Sequence, residues 1–213
     1  MADRMQIGTG VKFALGENPK SVYNDRDETP ITRMATAAMI REGLAKAQRY
    51  QQELDFAESD PDEHMPDYDA KSEALLPLLE RDVKAHFHCH RADDICTAIR
   101  IAKEFNLDYV IIHGTEGHLI ADILAEENAP VIAGPILCDR CKPEMQHLTI
   151  SGPSIMQKAG VKLALCTDHP VIPIQYLPTT AALAVKGGMQ REDALYAITA
   201  GAAEILGVEN RIG

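Results

Sequence analysis

Short apolar runs alternate along this chain with longer stretches in which apolar residues recur every three or four positions, the pattern of strands separated by amphipathic helices. Val11-Lys12-Phe13-Ala14-Leu15 reads as a first strand, closed by Gly16-Glu17-Asn18-Pro19. From Thr32 to about Leu54 the spacing is helical: Met34, Ala38, Met39 and Ala45 share one face, and Arg, Glu, Lys and Gln fill the other. Residues 55–69 carry Asp60-Pro61-Asp62-Glu63 and Met65-Pro66-Asp67 and read as an acidic loop; Ala70 to about Glu80 resumes as a helix despite Pro77.

Beyond residue 83 the alternation becomes regular. Strands are expected at 83–88, 109–113, 130–133 and 162–167, with helices at about 92–105, 119–127, 153–158 and 179–187. With the first run this makes five strands, and their separation by helical stretches implies right-handed βαβ units in a parallel sheet. The tail from Gln190 reads as two short helices, the second stopped at Gly207. No linker divides the chain, so residues 1–213 are expected to form one domain.

The chemistry sits at the strand ends. In Ala85-His86-Phe87-His88-Cys89-His90, period-two alternation puts the three imidazoles on one face and sends Phe87 and Cys89 to the other. His113 ends the run Tyr109-Val110-Ile111-Ile112, and Asp168 ends Lys162-Leu163-Ala164-Leu165-Cys166-Thr167. Parallel strands deliver their C-terminal ends to one face, so these groups are expected to converge there as a metal-hydrolase centre. Thr115-Glu116-Gly117-His118 adds polar groups at the same mouth. Lys12 lies inside the first strand, either as an inward functional group or as a snorkelling side chain.

Composition narrows the function classes. A net charge of -11 argues against nucleic acid or an anionic membrane as the partner, since both need clustered basic surface. No apolar run approaches the roughly 20 residues of a membrane span. The N-terminus also lacks the layout of a secretory signal, and a cytoplasmic protein is expected. Five cysteines do not resemble a disulfide framework, and Cys138-Asp139-Arg140-Cys141 reads as a loop with two free thiols.

Together these residues resemble the amidohydrolase superfamily, in its imidazolonepropionase-like and Xaa-Pro-dipeptidase-like branch. The resemblance rests on His86 to His90, on Ile112-His113-Gly114-Thr115-Glu116-Gly117, and on Ala159-Gly160-Val161 through Asp168-His169-Pro170. It rests also on the closing stretch Ala197 to Gly207. It implies an α/β fold that is a partial (β/α)8 TIM-barrel, about five parallel strands with flanking helices. It also implies His88 and His113 as metal ligands from the fifth and sixth barrel strands, Asp168 as the eighth-strand aspartate that binds metal and moves protons, and Lys12 as a loose match to the carboxylated lysine that bridges two metals. The implied cofactor is one or two divalent ions, zinc first, with iron or manganese compatible with the same donors.

No strand carrying the family's first His-x-His pair precedes Lys12, and the small β-domain is also missing, so the chain is expected to match roughly the second half to two-thirds of an amidohydrolase. The expected reaction is hydrolysis of an amide, cyclic amide or dipeptide-like C–N bond by a metal-activated water. Asp168 would shuttle the proton, and His90 or His118 would donate to the oxyanion. The expected partners are a small-molecule substrate and further copies of the chain in a homo-oligomer. The alternative is a catalytically incompetent partial barrel that self-associates through its open edges.

Overall fold

The computed structural model describes residues 10–60 and 62–213. Five strands, β1 (Gly10–Ala14), β2 (Lys84–Cys89), β3 (Tyr109–His113), β4 (Val131–Ala133) and β5 (Leu163–Leu165), form one sheet in sequential order. Every pairing is parallel. Sequential parallel strands with a helix after each are the repeat from which a (β/α)8 barrel is built, and the five strands fit a partial barrel.

Helices dress the sheet, all but α10 lying away from its inner face. These are α1 (Glu17–Asn24), α2 (Arg33–Ser59), the single turns α3 (Ala70–Glu73) and α4 (Leu76–Leu79), α5 (Ala92–Glu104), α6 (Ala121–Glu126), α7 (Gly152–Lys158), α8 (Leu177–Lys186), α9 (Arg191–Tyr196) and α10 (Ala200–Leu206). The helix-facing side holds the main core, in which Phe87, Cys89, Ile111, Val131, Ala133, Leu163 and Leu165 pack with Leu44, Leu78, Ile95 and Met156. Lys12, His86, His88, Val110, Ile112, Ile132 and Ala164 lie by alternation on the opposite, inner face. That face is divided. Val110, Ile112, Ile132 and Ala164 are covered by Ala202 and Ile205 of α10, whereas Lys12 remains exposed.

Four local features depart from the sequence expectation, each for an identifiable reason. Helix α1 occupies the segment read as a turn: Pro19 falls in its first turn, where a missing N–H costs no hydrogen bond. Helix α2 is capped by Thr32, whose side chain accepts from Ala35 N at 3.1 Å, and runs five residues past Leu54 to Ser59. It stops where Asp60, preceding a proline, is extended. The single helix expected over 70–80 is two separate turns, with Pro77 in the first positions of the second. Residues 117–120 form a 3-10 turn ahead of α6. As expected, Gly207 closes α10 in the left-handed conformation, at φ 70°.

No helix among the described residues is long and apolar enough to cross a membrane.

Candidate metal centre

Strand β2 brings His88 and His90 to the mouth of the sheet. Backbone pairing continues past the strand ends, with Leu15 N donating to His88 O at 2.9 Å and Glu116 N to His90 O at 2.8 Å. Both imidazoles are 4% exposed. His113 arrives by another route. It pairs with Cys89, so simple alternation would turn its ring toward the helices. Instead the backbone takes φ 75° at His113 and 52° at Gly114, and the ring comes round onto the other two. Such a conformation costs a non-glycine residue roughly 1–3 kcal/mol, which the surrounding pairing must offset.

His88, His90 and His113 then offer ring nitrogens that all lie within 4.8 Å of one another. His113 stacks on His90 with centroids 4.7 Å apart and meets His88 edge-on at 4.4 Å. Its Nδ1 is 2.6 Å from the carbonyl oxygen of Gly134. A carbonyl only accepts, so Nδ1 carries the proton and Nε2 is left bare, the state a metal ligand needs. His88 Nε2 accepts from Asn18 Nδ2 at 3.2 Å. The Asn18 amide is oriented by the Lys142 ammonium, 2.5 Å from Oδ1.

Electrostatics keep the cluster neutral. Burial, followed by His113 and the charges of Lys12 and Lys142, pushes His88 down to about 3. Burial, followed by His113, His88 and Lys142, pushes His90 down to about 2. Burial also lowers His113, opposed by its bond to Gly134 and the charge of Asp168. Neutral imidazoles in contact are unfavourable to protonate and well suited to an ion.

Glu144 adjoins this cluster and was not visible as a functional residue in the sequence. Its side chain is fully buried. Oε2 accepts from Glu17 N at 2.8 Å, whereas Oε1 has no hydrogen-bond partner and lies 3.8 Å from His90 Nε2. Behind it, Arg33 Nε donates to Asp94 at 3.0 Å and Arg33 Nη2 to Glu17 at 3.0 Å, with Glu144 Oε2 at 4.0 Å. One guanidinium therefore serves three carboxylates. Burial raises both Asp94 and Glu144.

His88 and His90 open into a cleft of about 930 Å³. Asp168 lines it beside His88 and His90, exposed and at φ 52°, but stands outside the three-imidazole cluster. Lys12 is exposed on the inner face, opposite His86 in the strand register, with no ion-pair partner among the described residues. His86 lies deeper, its Nε2 buried without a partner. His118 instead donates to Thr115 O at 3.0 Å and packs near Gly152, away from the cleft. Glu116 caps α5 by accepting from Ala92 N at 2.8 Å. Cys138 and Cys141 are free thiols on the cleft wall.

The donor set fits a divalent metal: buried neutral imidazoles in mutual contact, with an unsatisfied carboxylate oxygen at their margin.

No protein-family model matches this chain. The crystal structure of an amidohydrolase from Thermotoga maritima MSB8 superposes on 96% of it with a TM-score of 0.93 and 44% identity. Amidohydrolase tasK of Hapsidospora irregularis aligns along the whole chain at 27% identity. The chain is similar to part of an amidohydrolase. A metal-dependent hydrolase from Pyrococcus furiosus, 17% identical over 67% of the chain at a TM-score of 0.51, shares the fold. The chain spans 53% of the Thermotoga protein and 23% of the Hapsidospora protein.

Proposed function

We propose that this chain contributes the metal-binding strands of an amidohydrolase that cleaves a C–N bond in an amide, cyclic amide or dipeptide-like substrate. The observation that carries the reading is the convergence of His88, His90 and His113 at the C-terminal ends of parallel strands. The 44% identity with the Thermotoga amidohydrolase supports it. His88 and His113 are the assigned ligands, with Asp168 and Lys12 as further ligands and zinc as the first-choice ion. A bound divalent ion would lower the pKa of a coordinated water and polarise a carbonyl. Asp168 is assigned the transfer of a proton from the attacking water to the departing amine. His90 is assigned an N–H donor role toward the developing oxyanion. The apolar wall of the cleft, including Ile136, Leu137, Ile172 and Leu183, gives an uncharged substrate portion a place to lie.

Metal analysis of the purified chain, followed by assay against cyclic amides, N-acyl amino acids and Xaa-Pro dipeptides, tests this. Bound metal that disappears in H88A and H113A supports the reading. A metal-free chain that takes up no zinc, iron or manganese overturns it.

A second reading, a barrel portion that self-associates, is favoured by one observation: the outer edge of β1 pairs with no strand among the described residues. Sedimentation separates the two, a metal-free dimer favouring the second.

A further inference from the structure

We propose that Glu144 is a positioning residue that holds His90 with its proton on Nε2, so that His90 serves as an N–H donor and only two of the three clustered imidazoles keep a bare nitrogen for the ion. The consequence for the ion rests on the metal-hydrolase reading. The tautomer itself does not.

The carboxylate is pinned. Oε2 takes the Glu17 N–H at 2.8 Å and occupies space that a Cβ at position 16 would fill, 2.5 Å away, so Gly16 admits the carboxylate there. Oε1 faces His90 Nε2 at 3.8 Å, with the Lys142 ammonium at 4.0 Å as its other charged neighbour. That separation exceeds a hydrogen bond but decides a sign. With the carboxylate ionised, a bare nitrogen lone pair would face an oxygen lone pair, whereas an N–H would present its positive end. The other ring nitrogen agrees. His90 Nδ1 lies 2.7 Å from Thr115 Oγ1, a hydroxyl with no other partner among the described residues and so free to donate. Thr115 as donor and Glu144 as acceptor require the same tautomer. His113 has the opposite one, fixed by Gly134, and it is His113 whose bare Nε2 is available.

Long-range ¹H–¹⁵N correlation NMR of the metal-free full chain reads each ring directly. In the wild type His90 is expected to show a protonated Nε2 and a bare Nδ1; a proton on Nδ1 overturns the proposal. In Glu144→Gln the amide oxygen must stay on the Glu17 N–H, which turns the NH2 toward His90 Nε2. The proton is then expected to move to Nδ1, and an unchanged His90 in a folded E144Q overturns the positioning role. Thr115→Val, which removes only the hydroxyl, is expected to leave the proton on Nε2, and its departure would place control in Thr115. Zinc titration separates the two readings. Shifts at His88 and His113 with the His90 proton retained support both, and loss of that proton to the ion overturns the proposal. Absence of any zinc response with the tautomer as described defeats the metal reading alone.

Discussion

The Nδ1 of His113 donates to the carbonyl oxygen of Gly134 at 2.6 Å, so a ring at the end of β3 is held by the backbone that follows β4. Two adjacent strands thus cooperate to present one bare nitrogen. Removing the ring is expected to cost more metal affinity than the 10–100-fold typical of losing an outer partner. Zinc binding by H113A, followed by calorimetry beside the wild type, checks this.

Gly134 itself is constrained. At φ 132°, an added Cβ would collide with the carbonyl oxygen of Cys166 on the neighbouring strand connection. G134A is therefore expected both to lower the unfolding midpoint and to weaken zinc binding, because the displaced carbonyl no longer fixes His113. Zinc affinity unchanged in a destabilised G134A would show that the His113 bond does not depend on this close approach.

Acid should unfold the chain through its histidines. His88 and His90 are held near 3 and 2 when folded, whereas an unfolded imidazole titrates near its ordinary 6.5. The unfolded state therefore binds more protons as pH falls below about 6.5, so stability is full above that value and is lost progressively toward the folded values. A drop on the order of a few kcal/mol between pH 7 and pH 4 is expected in denaturant titrations of metal-free protein. H88Q should lose a measurable share of that slope.

Arg33 is the common cation of Glu17, Asp94 and Glu144. Asp94 is 3% exposed and Glu144 1%, so deleting the guanidinium strands buried carboxyl groups. R33M is expected to destabilise by about 3–5 kcal/mol, the range for breaking a buried ion pair from one side. Urea unfolding at neutral pH measures it, and a loss below about 1 kcal/mol would mean that water or protonation already compensates the cluster.

Much of this architecture was legible from residue pattern. Tyr109-Val110-Ile111-Ile112-His113 is a strand by composition and appears at those bounds, and alternation correctly placed Phe87 and Cys89 in the core with His88 and His90 opposite. Strand direction brings the ends of β2 and β3, and with them His88 and His113, to the same mouth. What escaped notice was set by context. Gly16-Glu17-Asn18-Pro19 has turn composition, yet Arg33 and Glu144 reach it from distant segments, and the helix that forms there carries Asn18 to His88. Glu144 is one carboxylate in an irregular connection, with no periodicity to mark it. Its only sequence signal was its place after β4, on a loop at the mouth. His113 reached its site through a positive φ that alternation cannot anticipate.

The covering of Val110, Ile132 and Ala164 by Ala202 and Ile205 of α10, clamped further by Lys84 Nζ donating to Ile205 O at 2.6 Å, separates two kinds of work along one surface. Substitutions beneath that helix should be felt as altered thermal tolerance with metal binding preserved, while replacement of the His88 or His113 ring itself should chiefly alter binding. Loops at the mouth can then vary while the floor stays anchored.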